Sequence, residues 1–366
     1  MAGGQMLSSQ SYSNDSLLVT QDLVVDSGQV LSFDRMVVMF EENKGIHVKP
    51  GGKIIADNSV FRSACYNTQW KGIKVEGNSL ASNCLTITNS YFKQADTVLK
   101  LSKVKDFSVV NNTFIGRNQG IAMQLKEEQD FLVSRNTVYG FSSGIQSENS
   151  PGAVNNSRIE KNIFASVGTG IKIAKGNHQK LDINCNRFQY TDYAIKSDST
   201  VLKNQGSQNE GAGNKFISNS SFPYHKLKHA NGNNLTYYFN AADSVGQDMN
   251  VNLSVAQNQS SCFGDSVQAK SASTGIEKVL SEINILLEVI PNPSSGEALV
   301  KFRLGTEQKG FIYLHDLQGR EIDRHKIDTE NGELRVDYTQ LSAGLYMITL
   351  VTESGLNLNK KLVLTK

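Results

Sequence analysis

The chain has 366 residues, 39% of them hydrophobic, and a near-neutral balance of Lys+Arg 37 against Asp+Glu 35. Such a length holds roughly two to three domains with ample core, and the charge balance, with no Lys/Arg-rich run, excludes an evident nucleic-acid partner. Apolar stretches such as Ile285-Leu286-Leu287 and Tyr346 to Val351 fall far short of a bilayer span, so no direct membrane insertion is expected.

The N-terminus, Met1-Ala2-Gly3-Gly4-Gln5, has neither a charged n-region nor an apolar h-region, so it is not a signal peptide. Residues from about 20 to 220 are self-similar. A Gly-Ile strand opener recurs at Gly45-Ile46, Gly72-Ile73, Gly120-Ile121, Gly144-Ile145 and Gly170-Ile171, with Ala194-Ile195 as a weaker copy and Thr97-Val98 filling the one gap. Neighbouring copies lie 24 to 27 residues apart, Thr97 splitting the one double interval. A second motif runs in the same phase: Asn89-Ser90-Tyr91-Phe92, Asn112-Thr113-Phe114, Asn136-Thr137-Val138, Asn162-Ile163-Phe164, Asn186-Arg187-Phe188 and Asn214-Lys215-Phe216.

The segments between turns are short, alternate apolar with polar and are rich in β-branched and aromatic residues. One coil cannot bury its own apolar face, so the coils must stack. Like residues then form ladders of Ile, Phe and Asn, and stacked Asn amides bond along the ladder. Asn also tolerates the left-handed turn conformation, and Gly before each Ile gives the backbone freedom to turn. Trp70, the only Trp, reads as a corner-filling core residue. Coils of about 24 residues with these ladders resemble the right-handed parallel β-helix, and about eight coils at ~4.8 Å each make a rod of roughly 40 Å. The stretch Gly45 to Gly77, with Lys49-Pro50-Gly51-Gly52-Lys53 and Trp70-Lys71-Gly72-Ile73-Lys74-Val75-Glu76-Gly77, resembles surface proteins of Bacteroidetes that carry a β-helix ahead of a sorting domain.

In a Gly-Ile-x strand Ile points inward and x outward, which gives an outward ladder of His47, Lys74, Ala122, Gln146, Lys172 and Lys196. Lys172 and Lys196 lie on adjacent coils, with Asp182, Asp192 and Asp198 near in sequence, and Lys172, Lys196, Asp182 and Asp198 form the candidate glycan-binding face. A lyase needs a basic residue and calcium held by carboxylates; a glycosidase needs two carboxylates at a set separation. The sequence has neither the consecutive aspartates nor the Gly-His-Gly and Arg-Ile-Lys runs of pectin hydrolases, and it shows no phosphate loop, HExxH or nucleophile elbow. No catalytic residue, metal or cofactor is therefore assigned.

Past about residue 220 the repeat fades. His225, Lys226, Lys228 and His229 read as a solvated loop at the rod's end, and 231–262 as a last irregular coil or cap covering the open strand edges. The small polar run from Gly264 to about Thr274 reads as linker, with a helical turn from Ile276 to Glu282. The cysteines, Cys65, Cys84, Cys185 and Cys262, make no CxxC and no zinc ribbon. They read as buried apolar residues or as disulfides, with Cys65–Cys84 the first pair to test. Asp15-Ser16-Leu17, Asp96-Thr97-Val98, Asp198-Ser199-Thr200, Asp243-Ser244-Val245 and Asp265-Ser266-Val267 resemble the acceptor sites for O-glycans in Bacteroidetes.

The C-terminal fifth alternates clearly in Leu299-Val300-Lys301-Phe302-Arg303-Leu304 and Phe311-Ile312-Tyr313-Leu314, which predicts a small antiparallel, Ig-like β-sandwich of about seven strands. Four short motifs follow in order: Pro291-Asn292-Pro293-Ser294-Ser295-Gly296, Asp316-Leu317-Gln318-Gly319-Arg320, Leu341-Ser342-Ala343-Gly344-Leu345-Tyr346 and the terminal Lys360-Lys361-Leu362-Val363-Leu364. Together they resemble the type A C-terminal sorting domain of proteins exported by the type IX secretion system of Bacteroidetes. The resemblance implies an export signal at Pro291, Asn292, Pro293, Gly296, Asp316, Gly319, Gly344, Tyr346, Lys360 and Lys361. It implies an outer-membrane translocon, shuttle barrel and sortase as partners, and cleavage in the linker. It also implies passage through the periplasm behind a leader, so the sequence is expected to begin after such a leader or inside a longer protein.

The expected organisation is all-β: a parallel β-helix with its cap over 1–262, a linker over 263–285 and the sorting domain over 286–366. The expected function is adhesion or glycan binding by a non-enzymatic rod, secreted or at the outer cell surface, with polysaccharide as the further partner. The alternative is a polysaccharide lyase or glycosidase on the same scaffold.

Overall fold

The computed structural model describes residues 2–5, 8–65, 68–78, 83–148, 156–217, 225–230, 235–239, 245–247, 251–258, 262, 285–304, 309–316, 320–352 and 357–365. The chain forms two compact units, Met1–Gly264 and Asp265–Lys366. The linker expected over 263–285 lies outside the described residues, except Ile285, which opens a strand; so do the turn over 276–282 and Gly319.

The first unit is a parallel β-helix. One coil runs through Gly45–Val48 on a first face, Lys53–Asp57 on a second and Val60–Ser63 on a third, then returns to the first face at Gly72–Glu76. Strands of the first and third faces join in one 19-stranded sheet, and the second face forms an 8-stranded sheet. Every pairing in these two sheets is parallel, as between Gly45–Val48 and Gly72–Glu76. Alternation places Val19, Ile46, Ile54, Phe61, Ile73, Leu85 and their equivalents inside a single core.

The register corrects the phase of two markers, Thr97-Val98 by one residue and Gly120-Ile121 by two. Ile73 pairs with Leu99, Leu99 with Met123, Met123 with Ile145, Ile145 with Ile171 and Ile171 with Ile195. The equivalent of Gly144-Ile145 is therefore Ala122-Met123, two residues beyond Gly120-Ile121. Ala122 is buried, and the outward position of that coil is Gln124, paired with Lys100 and Gln146.

The glycine openers divide by cause. A Cβ on Gly72 or Gly120 would meet the Thr97 or Asp96 carbonyl oxygen at 2.0 Å, and both glycines also sit at positive φ, +82° and +74°, where a side chain is strained. Gly144 and Gly170 do not. A Cβ on Gly144 would meet the Gly170 carbonyl oxygen at 2.5 Å and the Phe164 ring at 2.7 Å; on Gly170 it would meet the Phe188 ring at 2.7 Å. These two glycines make room for stacked rings rather than for a turn.

The ladders form, with one revision. Asn112, Asn136, Asn162, Asn186 and Asn214 are buried, and each of the first four donates from Nδ2 to the next Oδ1 at 3.0–3.1 Å. Ser59 and Ser90 continue the column toward the N-terminus. The left-handed residues are the ones just before it: Asn58, Asn89, Asn111, Arg135, Lys161 and Cys185. The ladder Asn is thus selected for its amide, not for tolerating positive φ. Phe61, Phe92 and Phe114 stack at 4.8 and 5.1 Å, Phe164 and Phe188 at 5.2 Å, and Val138 takes the place between. Trp70 is a core residue, stacked on Phe40 at 4.4 Å, its Nε1 donating to the Lys93 carbonyl.

The segment expected to be a solvated loop at 225–229 is a strand. His225–Ala230 pairs in parallel with Tyr193–Leu202, with Leu227 and His229 buried. His229 faces inward because Ser197 meets it there, Oγ to Nδ1 at 2.6 Å. Leu235–Phe239 and Val251–Val255 pair beyond it. The cysteine expectation is also corrected. Cys185 is bonded to Cys262, whereas Cys65 is free and exposed and Cys84 free and buried.

Among the described residues the second unit is an antiparallel sandwich of seven strands. Ile285–Ile290, Glu297–Leu304 and Asn331–Asp337 form one sheet. Glu321–Ile327, Gly310–His315, Gly344–Thr352 and Asn357–Leu364 form the other. Leu287, Val300, Phe302, Ile312, Leu314, Ile348, Leu350 and Leu362 fill the space between the sheets.

Candidate functional site

The motif residues of the second unit separate into two groups. The first stitches one sheet to the other. Asn292 Oδ1 accepts from the Val363 N–H at 2.9 Å, and its Nδ2 donates to the Lys361 carbonyl at 2.6 Å. Ser294 N–H donates to the Val363 carbonyl, and Thr365 N–H to the Ser294 carbonyl. Pro291-Asn292-Pro293 therefore presents the chain to the edge of the terminal strand, where proline, lacking an N–H, withdraws two donors that would compete. Gly296 has φ +129°, and a Cβ there would lie 2.7 Å from the Thr339 Cα. Lys360 and Lys361 are exposed in that terminal strand, opposite Ile348 and Met347.

The second group lines one open depression of about 550 Å³, bounded by Asp316, Arg320, Glu321, Ile322, Leu341, Gly344, Leu345 and Tyr346. Asp316 follows the strand Gly310–His315 and closes a turn on itself. Its Oδ1 accepts from the Arg320 N–H at 2.9 Å, its Oδ2 from Arg320 Nε at 2.6 Å, and its own N–H donates to the Arg320 carbonyl. The carboxylate is largely covered while the Arg320 side chain is 79% exposed, so the turn holds the paired guanidinium at the rim. Tyr346 is tied through its hydroxyl to the Ser342 carbonyl at 2.9 Å, and Ile322 is 38% exposed. Two motifs distant in sequence thus meet as one surface: an apolar floor of Leu341, Leu345 and Ile322 beside a charged rim.

On the β-helix, the structure brings Lys172, Lys196 and Asp198 together on the first face but not Asp182. Lys172 pairs in register with Lys196, and Lys196 Nζ lies 3.6 Å from Asp198. Asp182 belongs to the second face, opposite Arg158, and its carboxylate pairs with Lys203. The error has a simple origin: ten residues cover a third of a coil, so nearness in sequence is not nearness on a face. The outward column reads His47, Lys74, Lys100, Gln124, Gln146, Lys172, Lys196 and Lys228. At its N-terminal end Glu76 takes both His47, at 2.9 Å, and Lys74, at 2.5 Å. The Lys74 hydrogen bond, then that of His47, holds the Glu76 carboxyl below its usual range.

At the other end stands a group the sequence reading did not assemble. Tyr193 points outward with Lys196, Lys226 and Lys228 around its ring, their Nζ atoms 5.6, 5.7 and 6.0 Å from the centroid. The signal was present in Lys226-Leu227-Lys228-His229, an alternation of strand type hidden by the inward His. Among the described residues no three His, Cys, Asp or Glu side chains are grouped to hold a metal ion. Of the O-glycan acceptor patterns, Ser16 is exposed, whereas 243–244 and 265–267 lie outside the described residues.

Fold and surface together define a stacked β-helix with an appended β-sandwich whose motifs converge on a groove. Residues 23–188 match the family described as right handed beta helix region, and residues 288–365 match the secretion system C-terminal sorting domain. The chain is thus a right-handed β-helix protein carrying a type IX sorting tail, and that tail directs it to secretion or the cell surface. Among solved structures, a mutant tailspike protein of E. coli bacteriophage HK620 in complex with a pentasaccharide aligns over 92% of this chain and 86% of its own. Its identity is 11% and its TM-score 0.28, too low to carry an argument about function. No curated protein matches the chain.

Proposed function

We propose that the chain is an adhesion or glycan-binding rod at the outer cell surface, and that the groove of its sorting domain is the feature the outer-membrane translocon reads. The observation that carries the export half is the meeting of the Asp316–Arg320 turn with Leu341–Tyr346 in one depression. Asn292 and Gly296 hold the sandwich and do not line the depression. The shuttle barrel and sortase act on the delivered chain, and cleavage falls within 263–285.

Export of the full chain, followed as surface-exposed against periplasmic protein, tests this. Arg320→Glu reverses the rim charge, and Ile322→Asp breaks the apolar floor. Both are solvent-facing and should leave folding intact while the protein accumulates in the periplasm. Normal delivery of both variants would refute the groove as the recognition surface.

The rod half rests on the Lys column and its Gln members, which offer cations and amides to an acidic polysaccharide. The fold itself serves enzymes and binding proteins alike. One observation keeps a lyase or glycosidase in view: Lys172 and Lys196 lie on adjacent coils beside Asp198. Incubation of the purified chain with acidic polysaccharides, with and without calcium, separates the readings. Release of unsaturated or reducing ends that is lost in Lys172→Ala would replace the adhesin with an enzyme.

A further inference from the structure

The Tyr193 cluster gathers three lysines around one ring, and its geometry involves one irregularity of register. Across the strands Tyr193–Leu202 and His225–Ala230, Tyr193 pairs with Lys226 but Ile195 pairs with Leu227, so one residue is skipped at Ala194. Alternation turns Lys226 and Lys228 outward on either side of buried Leu227, and the skip sets them opposite Tyr193 and Lys196 of the preceding coil. Beneath them Ser197 and His229 are buried and joined at 2.6 Å, which pins the two strands in this register.

Over three successive coils, the outward positions of this face are Thr169, Lys172 and Ala174; then Tyr193, Lys196 and Asp198; then Lys226, Lys228 and Ala230. Among the described residues this stretch brings Lys172, Lys196, Lys226 and Lys228 onto one face, with Asp198 beside Lys196. Ammonium groups stacked at the strand spacing repel one another, and a bound polyanion relieves that repulsion while releasing its own counterions. The Tyr193 ring gives the cluster a flat, partly exposed apolar surface with its face toward cations. Moving along the same column, Gln146 and Gln124 follow Lys172, so amides rather than further charges continue the track. Amides pair with hydroxyls as donor and acceptor, which fits a glycan whose acidic groups are spaced out better than a backbone charged at every unit.

We propose that Tyr193, Lys196, Lys226 and Lys228 form the anchoring subsite for a carboxylated or sulfated polysaccharide lying along the first face toward Gln146. The inference rests on the reading of the rod as glycan-binding and adds where and by what chemistry. Lys226 and Lys228 fix the acidic groups, Tyr193 packs against a sugar ring, and the Gln track holds hydroxyls.

Affinity electrophoresis or calorimetry of the full chain with polygalacturonate, heparin, neutral dextran and a single-stranded oligonucleotide tests it. The expected result is retention by polygalacturonate or heparin that weakens with salt, and no retention by dextran. In the same assay Lys226→Gln/Lys228→Gln should lose tenfold or more in affinity, while Lys53→Gln/Arg158→Gln, on the second face, should lose less than twofold. Both pairs are surface changes whose melting temperatures serve as the folding control. Acidic-glycan binding indifferent to Lys226→Gln/Lys228→Gln would overturn the subsite and leave the rod a glycan binder. Absence of binding to every polysaccharide would overturn both readings. Equal or stronger retention by the oligonucleotide, lost in the same variant, would assign the cluster to nucleic acid and overturn the proposal.

Discussion

At the scale of single residues, the buried asparagines dominate the argument. Asn162 Oδ1 accepts from the Asn136 N–H at 2.9 Å and from Asn136 Nδ2 at 3.0 Å, while its own Nδ2 serves the Val133 carbonyl and Asn186 Oδ1. Removing one amide strands several buried polar groups at once. With about 1–3 kcal/mol for each group left unpaired, Asn162→Ala should cost about 3–5 kcal/mol. Asn111, one position before a ladder residue, is exposed at φ 61° and donates to Asn89 in solvent. Asn111→Gly should shift stability by less than about 1 kcal/mol, since glycine accepts that backbone freely. Urea unfolding followed by Trp70, the only Trp and buried in the rod, measures both; equal costs would refute the division of labour.

Glu128 adds a pH dependence. It is buried, its Oε2 and Oε1 accept the Val104 and Lys126 N–H groups, and burial raises its pKa to about 8 despite those bonds. Between the unfolded value of 4.5 and about 8, the folded chain holds a proton that the unfolded chain has released. Stability from this residue is therefore full below pH ~4.5 and is lost as pH rises toward ~8. His178 acts in the opposite sense, because burial lowers its pKa from 6.5 to about 4 and its contribution is lost as pH falls through that window. Glu128→Gln should flatten the decline between pH 5 and 8 and leave the acid limb unchanged. The same slope in both proteins, from denaturant midpoints, would remove Glu128 as its cause.

At the scale of elements, the sequence carried the period, the ladders and the seven-stranded sandwich, because each rests on residues that repeat or alternate. It did not carry the phase of every coil. Gly120-Ile121 looks like Gly144-Ile145, yet Gly120 is held to glycine by positive φ as well as by space, whereas Gly144 is glycine for lack of space beside Phe164. One letter with two physical causes cannot be separated without the neighbouring coil. The same limit hid the strand at 225–230, whose inward His229 depends on Ser197 thirty-two residues earlier. It also placed Asp182 on the wrong face. The steric cause predicts an asymmetry: Gly144→Ala forces contact with the Gly170 carbonyl and the Phe164 ring, and should destabilise by about 1–3 kcal/mol. Phe164→Leu alone should cost about 1 kcal/mol or more through lost packing. In the double variant part of the ring clash disappears, so the sum of the single effects should exceed the measured total. Strict additivity would show that Phe164 is not what holds position 144 to glycine.

At the scale of the whole molecule, the sulfur chemistry makes the sharpest forecast, because the structure and the sequence reading disagree on it. The bond between Cys185 and Cys262 spans 77 residues and ties the corner before Asn186 to a position beyond the last described strands of the β-helix. Closing a loop of that length removes about 4 kcal/mol of chain entropy from the unfolded state in the simplest treatment. The last coils, which lack the full Asn and Phe ladders, gain most from it. An exported chain matures outside the reducing cytosol, where such a bond persists. Thiol titration of the oxidised protein should therefore find one reactive group in the native state, exposed Cys65, and a second on unfolding, buried Cys84, whose pKa burial raises. Peptide mapping without reductant should recover Cys185 joined to Cys262. The Cys262→Ser variant should then unfold at lower denaturant, with loss of the strand pairing around 225–255 preceding the Trp70 signal. Recovery of a Cys65–Cys84 peptide, or four titratable thiols in protein isolated from the cell surface, would contradict the pairing and with it this account of how the end of the rod is held.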